Sequence, residues 1–181
     1  MTDSAPPPDR PQVLSLVGPR GSGKTTIGRL VADRLAVDFA DADAEIVARA
    51  GRSIPEIFAD DGEPAFRQLE AETIADLLTQ APLVLATGGG AVLNAQTRRR
   101  LQDAGPVVYL SADPATLHER TAGDPNRPPL TDLPAEDEVA AILAVREPLY
   151  REAATAVVPT DGLPEFVAER VLTLIGDAQD G

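Results

Sequence analysis

Short apolar runs recur along the chain, separated by longer segments in which apolar and polar residues repeat at helical spacing. Four runs are clear and a fifth is weaker; they cover residues 13–17, 83–87, 107–110 and 156–158, with the weaker run at 37–41. The clear runs are continuously apolar rather than alternating, which is typical of strands buried on both faces of a parallel sheet. The pattern therefore predicts five strands in one parallel sheet.

Amphipathic segments between and beyond these runs predict helices; they cover residues 24–36, 64–80, 95–104, 114–122, 136–154 and 164–175. Two helix starts have recognisable caps. Ser53 and Glu56 have the spacing of a capping box, and Asp113 precedes a proline at the first helical position. Strands that alternate with helices indicate an α/β protein, so we expect a doubly wound, five-stranded parallel sheet flanked by helices.

The length of 181 residues fits one domain with a complete core. Residues 1–11 are polar and proline-rich and contain no apolar signal segment, so we expect a disordered tail there. The domain is then expected over 12–176, with a short C-terminal tail over 177–181. Residues 121–137 form the one long stretch without periodicity, which is typical of a lid, a binding loop or disorder.

Composition and charge narrow the possible partners and chemistry. A formal net charge of −13 argues against binding to nucleic acids or anionic membranes. The one basic run, Arg98 to Arg100, fits the solvated end of a helix better than a binding patch. No apolar run approaches the roughly 18 residues of a membrane span. The chain has no cysteine and one histidine, which excludes disulfides and sites of several histidines, and we expect a cytoplasmic protein.

The stretch "GPRGSGKTT", residues 18–26, contains the only lysine of the chain, Lys24. It fits the P-loop pattern Gly-x-x-x-x-Gly-Lys-Thr, follows a predicted strand and opens a predicted helix, as this motif requires. Glycines let successive N–H groups face a phosphate, and the helix N-terminus adds its positive dipole end. Lys24 supplies a compact charge for the β- and γ-phosphates, and Thr25 offers a hydroxyl to Mg²⁺. The stretch therefore predicts a nucleotide site with Mg²⁺.

Candidate residues for an acceptor follow the next two predicted strands. Asp41 and Asp43 lie two positions apart on a segment expected to be extended, so both carboxylates should point into the cleft at the carboxyl edge of the sheet. Arg67 and Glu70 have the spacing of an ion pair on a helix. Three glycines at 88–90 indicate close approach of the backbone to a ligand. Taken singly, these features also fit an acidic turn, a surface arginine and a flexible turn.

From about residue 12 to residue 175 the chain resembles the shikimate kinase family. The resemblance rests on the ordered stretches "GPRGSGKTTIGRLVADRL", "DADAEI", "GRSIPEIFADDGEPAFRQLE", "VLATGGGAV", "VVYL", "NRPPL" and "REPLY". The P-loop is shared by many nucleoside triphosphatases, but the ordered set is far more specific. It implies a P-loop kinase fold with a substrate-binding region over about 42–70 and a lid over about 121–134. The implied reaction is transfer of the γ-phosphoryl group of ATP to the 3-hydroxyl of shikimate, on the route to chorismate and aromatic amino acids, by a protein expected to be a monomer.

The resemblance also implies roles for individual residues. ATP would contact Gly21, Ser22, Gly23, Lys24, Thr25 and Thr26, with Arg120 beside the adenine and the lid residue Arg127 over the phosphates. Mg²⁺ would be supported by Thr25 and Asp41. The substrate would contact Asp43, Arg67, Gly88, Gly89, Gly90 and Arg146, with Phe58 and Phe66 as the pocket wall and Glu70 orienting Arg67. Lys24, Asp43 and Arg127 would be the catalytic residues, and whether Asp43 takes the proton of the acceptor hydroxyl stays open.

Two positions depart from the family pattern. Pro129 stands in the lid where leucine is expected, and no arginine precedes Thr160 after the last strand, so the family's contacts are not carried over at either place. Two other functions are weighed against this one. The first is another small-molecule P-loop kinase, acting on gluconate or on a nucleoside monophosphate, although the "DGFPR"-like stretch of monophosphate kinases is absent. The second is a catalytically silent nucleotide-binding module, against which the intact catalytic residues argue.

Overall fold

The computed structural model describes residues 13–122 and 133–177. The expected N-terminal tail, the C-terminal tail beyond Asp177 and most of the expected lid, with Arg127 and Pro129, lie outside the described residues; Asp177 itself ends a helix. Within these ranges strands and helices alternate in the order β1 (Val13–Val17), α1 (Lys24–Leu35), β2 (Asp38–Asp41), α2 (Ala42–Ala50), α3 (Ile54–Leu77), β3 (Leu83–Ala86), α4 (Ala95–Ala104), β4 (Val107–Ser111), α5 (Pro114–Thr121), α6 (Ala135–Ala153), β5 (Ala156–Pro159) and α7 (Pro164–Asp177). A short 3-10 turn, Ala91–Leu93, precedes α4.

The five strands form one parallel sheet in the order β2-β3-β1-β4-β5, which confirms the predicted sheet. Ala86 of β3 lies opposite Leu16 of β1 on one side and opposite Asp41 of β2 on the other. The segments that follow β1, β2 and β3 therefore leave the sheet side by side at its carboxyl edge. Ligands of open α/β sheets bind outside this edge.

Helices cover both faces of the sheet. Successive residues of β1 belong to two separate cores, with Val13 and Val17 packed in the cluster that includes α4 and α6, and Leu14 and Leu16 in the cluster that includes α1 and α7. Because both faces of the strand are buried, apolar residues occupy successive positions along it instead of alternating with exposed polar ones. In the described part of the chain, the helices fall short of the length and apolarity that a membrane crossing needs.

Helix α3 begins ten residues earlier than the expected helix over 64–80. Its start is the predicted capping box, in which Ser53 Oγ accepts from the Glu56 N–H and the Glu56 carboxylate accepts from the Ser53 N–H. Gly62 interrupts the helical backbone with φ 81° and ψ 167°, and Pro64 follows inside the helix. The interruption divides the periodic pattern into two halves, so the sequence predicts the start at Ser53 and the helix over 64–80 as separate signals rather than as one helix.

The basic run at 98–100 is only partly solvated, which corrects the expectation from the sequence. The side chain of Arg98 is 12% exposed. It donates to the Val92 carbonyl at 2.7 Å and pairs with Glu152 of α6 at 3.0 Å. Arg98 therefore joins α4 to α6 rather than facing solvent.

Candidate active site

A cavity of about 780 Å³ opens at the carboxyl edge of the sheet. Its walls come from the loop between β1 and α1, the start of α2, the kinked helix α3, the glycine segment after β3, and α6. The structure brings these candidate residues together in the lining: Gly21, Gly23, Lys24, Thr25, Thr26, Asp41, Asp43, Phe58, Phe66, Arg67, Glu70, Gly88, Gly89, Gly90 and Arg146. Residues from five separate stretches of the sequence thus line the same cavity.

The ammonium group of Lys24 folds back onto the loop that precedes it. Lys24 Nζ donates to the carbonyls of Gly18 and Pro19, each at 2.8 Å. Burial lowers the pKa of Lys24 from its ordinary 10.5 to about 8, and the nearby carboxylates of Asp43 and Asp41 oppose that shift. A half-buried cation held by neutral oxygen atoms can exchange them for an anion, because a charge-assisted bond to phosphate is stronger.

The P-loop has the backbone that its glycines predict. Gly21 has φ 83° and Gly23 has φ 88°, in the left-handed region that favours glycine. A Cβ at Gly21 would lie 2.8 Å from Thr121 Cγ2, so the loop also packs tightly against the end of α5. Ser22 is fully buried and donates its N–H to the Pro19 carbonyl at 3.2 Å. Its side chain therefore lies behind the loop rather than in the cavity lining.

Asp41 itself is extended, but the segment after it is helical rather than extended as expected. Asp41 ends β2 and caps α2, where its Oδ1 accepts from the N–H groups of Asp43 at 3.0 Å and Ala44 at 3.2 Å. Asp43 lies in the first helical turn, where acidic side chains are stabilised by the helix dipole. This N-cap signal and the alanine-rich run after it were available in the sequence. The other oxygen of Asp41, Oδ2, accepts a 2.6 Å hydrogen bond from the Thr25 hydroxyl.

Two carboxylates meet at the α-carbon of Gly88. A Cβ there would lie 2.5 Å from Glu70 Oε1 and 2.6 Å from Asp43 Oδ1, so only glycine fits between them. Burial raises the pKa of Asp43, and the charge of Asp41 raises it further. Burial also raises the pKa of Glu70, while the Arg67 guanidinium opposes that rise. Asp43 is thus a carboxyl group with enhanced affinity for a proton, inside the cavity and close to the P-loop lysine.

Arg67 is held by two carboxylates on its own helix. Its Nη1 donates to Glu70 Oε2 at 2.8 Å, so the expected i,i+3 ion pair is present. Its Nε and Nη2 donate to Glu63 at 3.1 Å, a contact that the sequence reasoning missed although the i,i+4 spacing indicated it. The guanidinium lies over Gly90, where a Cβ would overlap it. The bare glycine therefore makes room for this side chain.

The wall expected from Phe58 and Phe66 is present, with ring centroids 4.7 Å apart. Phe66 belongs to a small apolar cluster with Ile46 of α2 and Ile57 of α3. This cluster joins α2 to α3 apart from the two main cores. The outer wall of the cavity is therefore supported by a separate small apolar cluster.

Arg146 reaches the glycine segment from α6. Its Nη1 lies 3.8 Å from the position of a Cβ at Gly89, so the two candidate arginines stand over adjacent glycines. Tyr150, one helical turn later, donates its hydroxyl to the Gly89 carbonyl at 2.5 Å. Sequence reasoning assigned no role to Tyr150, although its position in "REPLY", four residues after Arg146, was a usable signal. It also missed Arg20, which lines the cavity from within the P-loop stretch.

Arg120 lies outside the cavity lining and connects the P-loop to the loop after β5. It donates to the Thr160 carbonyl at 2.9 Å, to the Thr160 hydroxyl at 3.1 Å and to the Gly21 carbonyl at 3.4 Å. Thr160 is itself buried. The Arg120 guanidinium therefore lies between the P-loop and the loop after β5.

A P-loop at the centre of a parallel sheet, opening into a cavity with carboxylates and converging arginines, is characteristic of P-loop kinases. The family model for shikimate kinase matches residues 20–176. The shikimate kinase of Nitrosococcus oceani is 47% identical over 169 residues, covering 93% of this chain and 89% of that protein. The chain belongs to the shikimate kinase family. It is an ATP-dependent kinase with shikimate kinase function.

Solved structures agree with this assignment. Shikimate kinase from Acinetobacter baumannii, in complex with shikimate, superposes with a TM-score of 0.90 at 40% identity, covering 93% of this chain and 94% of that chain. The Aquifex aeolicus shikimate kinase superposes with a TM-score of 0.81 at 33% identity, covering 93% and 99%. A gluconokinase from Sinorhizobium meliloti reaches a TM-score of 0.58 at 16% identity, covering 94% of each chain, which shows the shared fold alone.

Proposed function

We propose that the protein transfers the γ-phosphoryl group of ATP to the 3-hydroxyl of shikimate in this cavity. The phosphates bind at the P-loop, and shikimate binds over the glycine segment. One observation carries the proposal: Arg67 and Arg146, from different helices, converge over the adjacent Gly90 and Gly89 in the same cavity as Lys24. Two guanidinium groups over one short backbone segment suit a carboxylate ligand. The shikimate bound to the Acinetobacter baumannii enzyme supports the same acceptor.

The residues on the nucleotide side act by positioning and by neutralising charge, on which phosphoryl transfer mainly depends. Lys24 leaves the loop carbonyls and binds the β- and γ-phosphates, while the backbone N–H groups of Gly21 and Gly23 surround them, joined by that of Ser22 once it leaves the Pro19 carbonyl. Thr26 lines the same end of the cavity. Arg120 would lie beside the adenine; Arg127 lies outside the described residues, and the family resemblance implies a role for it in a lid over the phosphates. Lid closure excludes water and limits hydrolysis of ATP.

Thr25 and Asp41 would provide the protein's oxygen ligands for Mg²⁺. Residues 13–122 and 133–177 contain no group of three or more acidic or histidine side chains that could surround a metal ion. A site with one hydroxyl and one carboxylate fits Mg²⁺, which keeps several waters and binds few protein groups together with phosphate oxygens. The 2.6 Å contact between these two side chains places both oxygens at one point beside the P-loop. When bound, the ion would neutralise charge on the phosphates.

Asp43 holds the acceptor hydroxyl. Its carboxylate lies against Gly88, and its raised pKa suits a group that accepts a proton from an alcohol during attack. Glu70 is 4% exposed on its side chain and holds the Arg67 guanidinium, while Phe58 and Phe66 close the outer wall. Shikimate would then contact Asp43 at its hydroxyl end, and Arg67 and Arg146 at its carboxylate.

The remaining proposals concern the protein as a whole. We place residues 12–176 in one kinase domain, with the substrate-binding region over about 42–70 and the lid over about 121–134, between short tails. We also propose that the protein is a cytoplasmic monomer, and light scattering coupled to gel filtration tests its mass in solution.

The proposed reaction is tested by measuring ADP release with shikimate, gluconate or AMP at equal concentrations. We expect strong stimulation by shikimate alone, and loss of the signal in a Lys24→Ala variant that still folds. Absence of stimulation by shikimate would overturn the proposed function. Turnover that survives in the Lys24→Ala variant would trace the signal to a contaminating enzyme. Analysis of the product by phosphorus NMR identifies which hydroxyl carries the phosphate.

A further inference from the structure

We propose that Tyr150 is a positioning residue of the acceptor site, whose hydroxyl connects the Gly89 carbonyl to the Arg146 guanidinium and so fixes both toward the substrate. This inference rests on the proposed function, because it assigns Arg146 and the glycine segment to substrate binding. It adds Tyr150 as a third group, which does not itself touch the reacting atoms. The inference depends on the geometry around the buried Tyr150 hydroxyl.

The direction of each hydrogen bond follows from the chemistry of the groups. The Tyr150 hydroxyl has one proton and gives it to the Gly89 carbonyl, which can only accept, at 2.5 Å. The Arg146 guanidinium lies beside this hydroxyl, where burial raises the pKa of Tyr150 and the charge and hydrogen bonding of Arg146 lower it, and a guanidinium can only donate. Tyr150 therefore accepts from Arg146 with its oxygen lone pairs and donates to Gly89. Both hydrogen bonds form at the same time only when the hydroxyl proton points toward the Gly89 carbonyl.

Each of the two bonds constrains a group that faces the cavity. Arg146 and Tyr150 are one turn apart on α6, so the hydroxyl holds the guanidinium against its own helix and over Gly89. At the other end, the bond fixes the plane of the peptide between Gly89 and Gly90. In a trans peptide the carbonyl and the following N–H point in opposite directions, so anchoring the Gly89 carbonyl also sets the direction of the Gly90 N–H. Glycines without such an anchor would leave this peptide free to turn.

The ring of Tyr150 has a separate, structural task. It is 1% exposed, belongs to the main core, and stacks on Tyr109 with ring centroids 5.0 Å apart. Burial raises the pKa of Tyr150, so its hydroxyl stays protonated and able to donate throughout the working pH range. Phenylalanine keeps the ring and its stacking and removes only the hydroxyl. Y150F therefore separates positioning from core packing.

The test compares steady-state kinetics of the wild-type protein, Y150F and Y109F, with shikimate and ATP varied in turn. Loss of a hydrogen bond to a charged group predicts that Y150F raises the KM for shikimate roughly 10- to 100-fold. The KM for ATP should change less than about twofold, because Lys24 and the P-loop keep their contacts. Y109F removes a hydroxyl from the stacked partner of the same ring pair and should leave both KM values within about twofold.

A double-mutant cycle adds a readout that a purely structural role would not move. In an R146A background, Y150F should weaken shikimate binding much less than it does alone, because the guanidinium that it positions is gone. Additive effects would overturn the proposal, as would a Y150F protein with normal KM for shikimate beside an impaired R146A. Equal increases in both KM values, or failure of Y150F to fold, would assign the hydroxyl to general stability and overturn it too. A wild-type protein that does not phosphorylate shikimate would overturn the proposed function itself, and this inference with it.

Discussion

Thr25, in the first turn of α1, and Asp41, the last residue of β2, are joined by a 2.6 Å hydrogen bond from the threonine hydroxyl to Oδ2 of the carboxylate. The other oxygen of Asp41 accepts from two backbone N–H groups at the start of α2. One carboxylate therefore serves the proposed metal site with one oxygen and the helix cap with the other. These two tasks can be separated by substitution.

Asp41→Asn should weaken the response to Mg²⁺ while leaving the fold intact. Asparagine retains one acceptor oxygen for the cap, but its amide group replaces the oxygen beside Thr25. We expect the Mg²⁺ concentration for half-maximal activity to rise at least about tenfold. Asp41→Ala should show the same rise and also lose about 1 kcal/mol of stability with the cap. Magnesium titrations and thermal unfolding check the pair, and an unchanged Mg²⁺ requirement in Asp41→Asn would contradict the assignment.

The lowered pKa of Lys24 predicts that nucleotide binding takes up a proton in alkaline solution. With a pKa of about 8, the free lysine is charged at pH 7 and mostly neutral at pH 9. Phosphates favour the charged form, so binding at pH 9 must recharge the side chain, and ATP affinity should fall as the pH rises through 8. Calorimetry in buffers of different ionisation enthalpy should show proton uptake at pH 9 and little at pH 7.

Lys24→Arg is the matched control for this pH dependence. Arginine stays charged at both pH values, so proton uptake should disappear. The planar guanidinium cannot follow the phosphates inside the tight loop, and we expect a folded protein with activity reduced roughly 100-fold. Unchanged proton uptake in this variant would show that another group titrates. Near-normal turnover would contradict the geometric reason for lysine.

Arg67→Ala should affect substrate affinity and stability for different reasons. Loss of the guanidinium should raise the KM for shikimate about 30-fold or more and leave the KM for ATP nearly unchanged. It also leaves the nearly buried Glu70 without its partner, at a cost of roughly 3–5 kcal/mol in the free energy of unfolding.

The double variant Arg67→Ala with Glu70→Gln separates these two effects. The neutral amide should recover much of the lost stability, because no unpaired charge is buried. It should not recover the affinity for shikimate. Denaturant unfolding and kinetics measure both quantities, with Arg146→Ala as the second arginine. A parallel loss of ATP affinity in either arginine variant would refute the carboxylate role.

Gly88→Ala should inactivate the protein through Asp43 rather than through the fold. The added methyl group would lie 2.5 Å from Glu70 and 2.6 Å from Asp43, so both carboxylates must move. A displacement of about 1 Å at a reacting group predicts a fall in kcat of roughly 100-fold. Gly176→Ala is the control, since its Cβ meets nothing within 4 Å and it lies in α7. We expect it to keep full activity and gain about 0.5–1 kcal/mol of stability. Equal activity of the two variants would contradict the proposed geometry.

The strands and the P-loop could be predicted because their signals are local. Apart from Ser15, the run at 13–17 is apolar on both faces, and the glycines of 18–23 have the positive φ values that their spacing indicates. Helix α2 was missed because Asp41 and Asp43 were interpreted as neighbours on a strand. The same alternation also fits an N-cap followed by a first turn, and only the helix hydrogen bonds distinguish the two. The first half of α3 was predicted only at its start, by the capping box at Ser53, because Gly62 breaks the helical period between the two halves.

By itself, the sequence determined the α/β class, the phosphate site, the capping box and, through its ordered motifs, the family. These features depend on residues close together along the chain, where backbone geometry links spacing to structure. Only the tertiary structure decided that Arg67 and Arg146 stand over adjacent glycines, that Asp43 and Glu70 meet at Gly88, and that Tyr150 anchors Gly89. Those contacts arise because the sheet places β3 between β1 and β2 and packs α6 beside the glycine segment. Spacing along the chain carries no information about such distant neighbours.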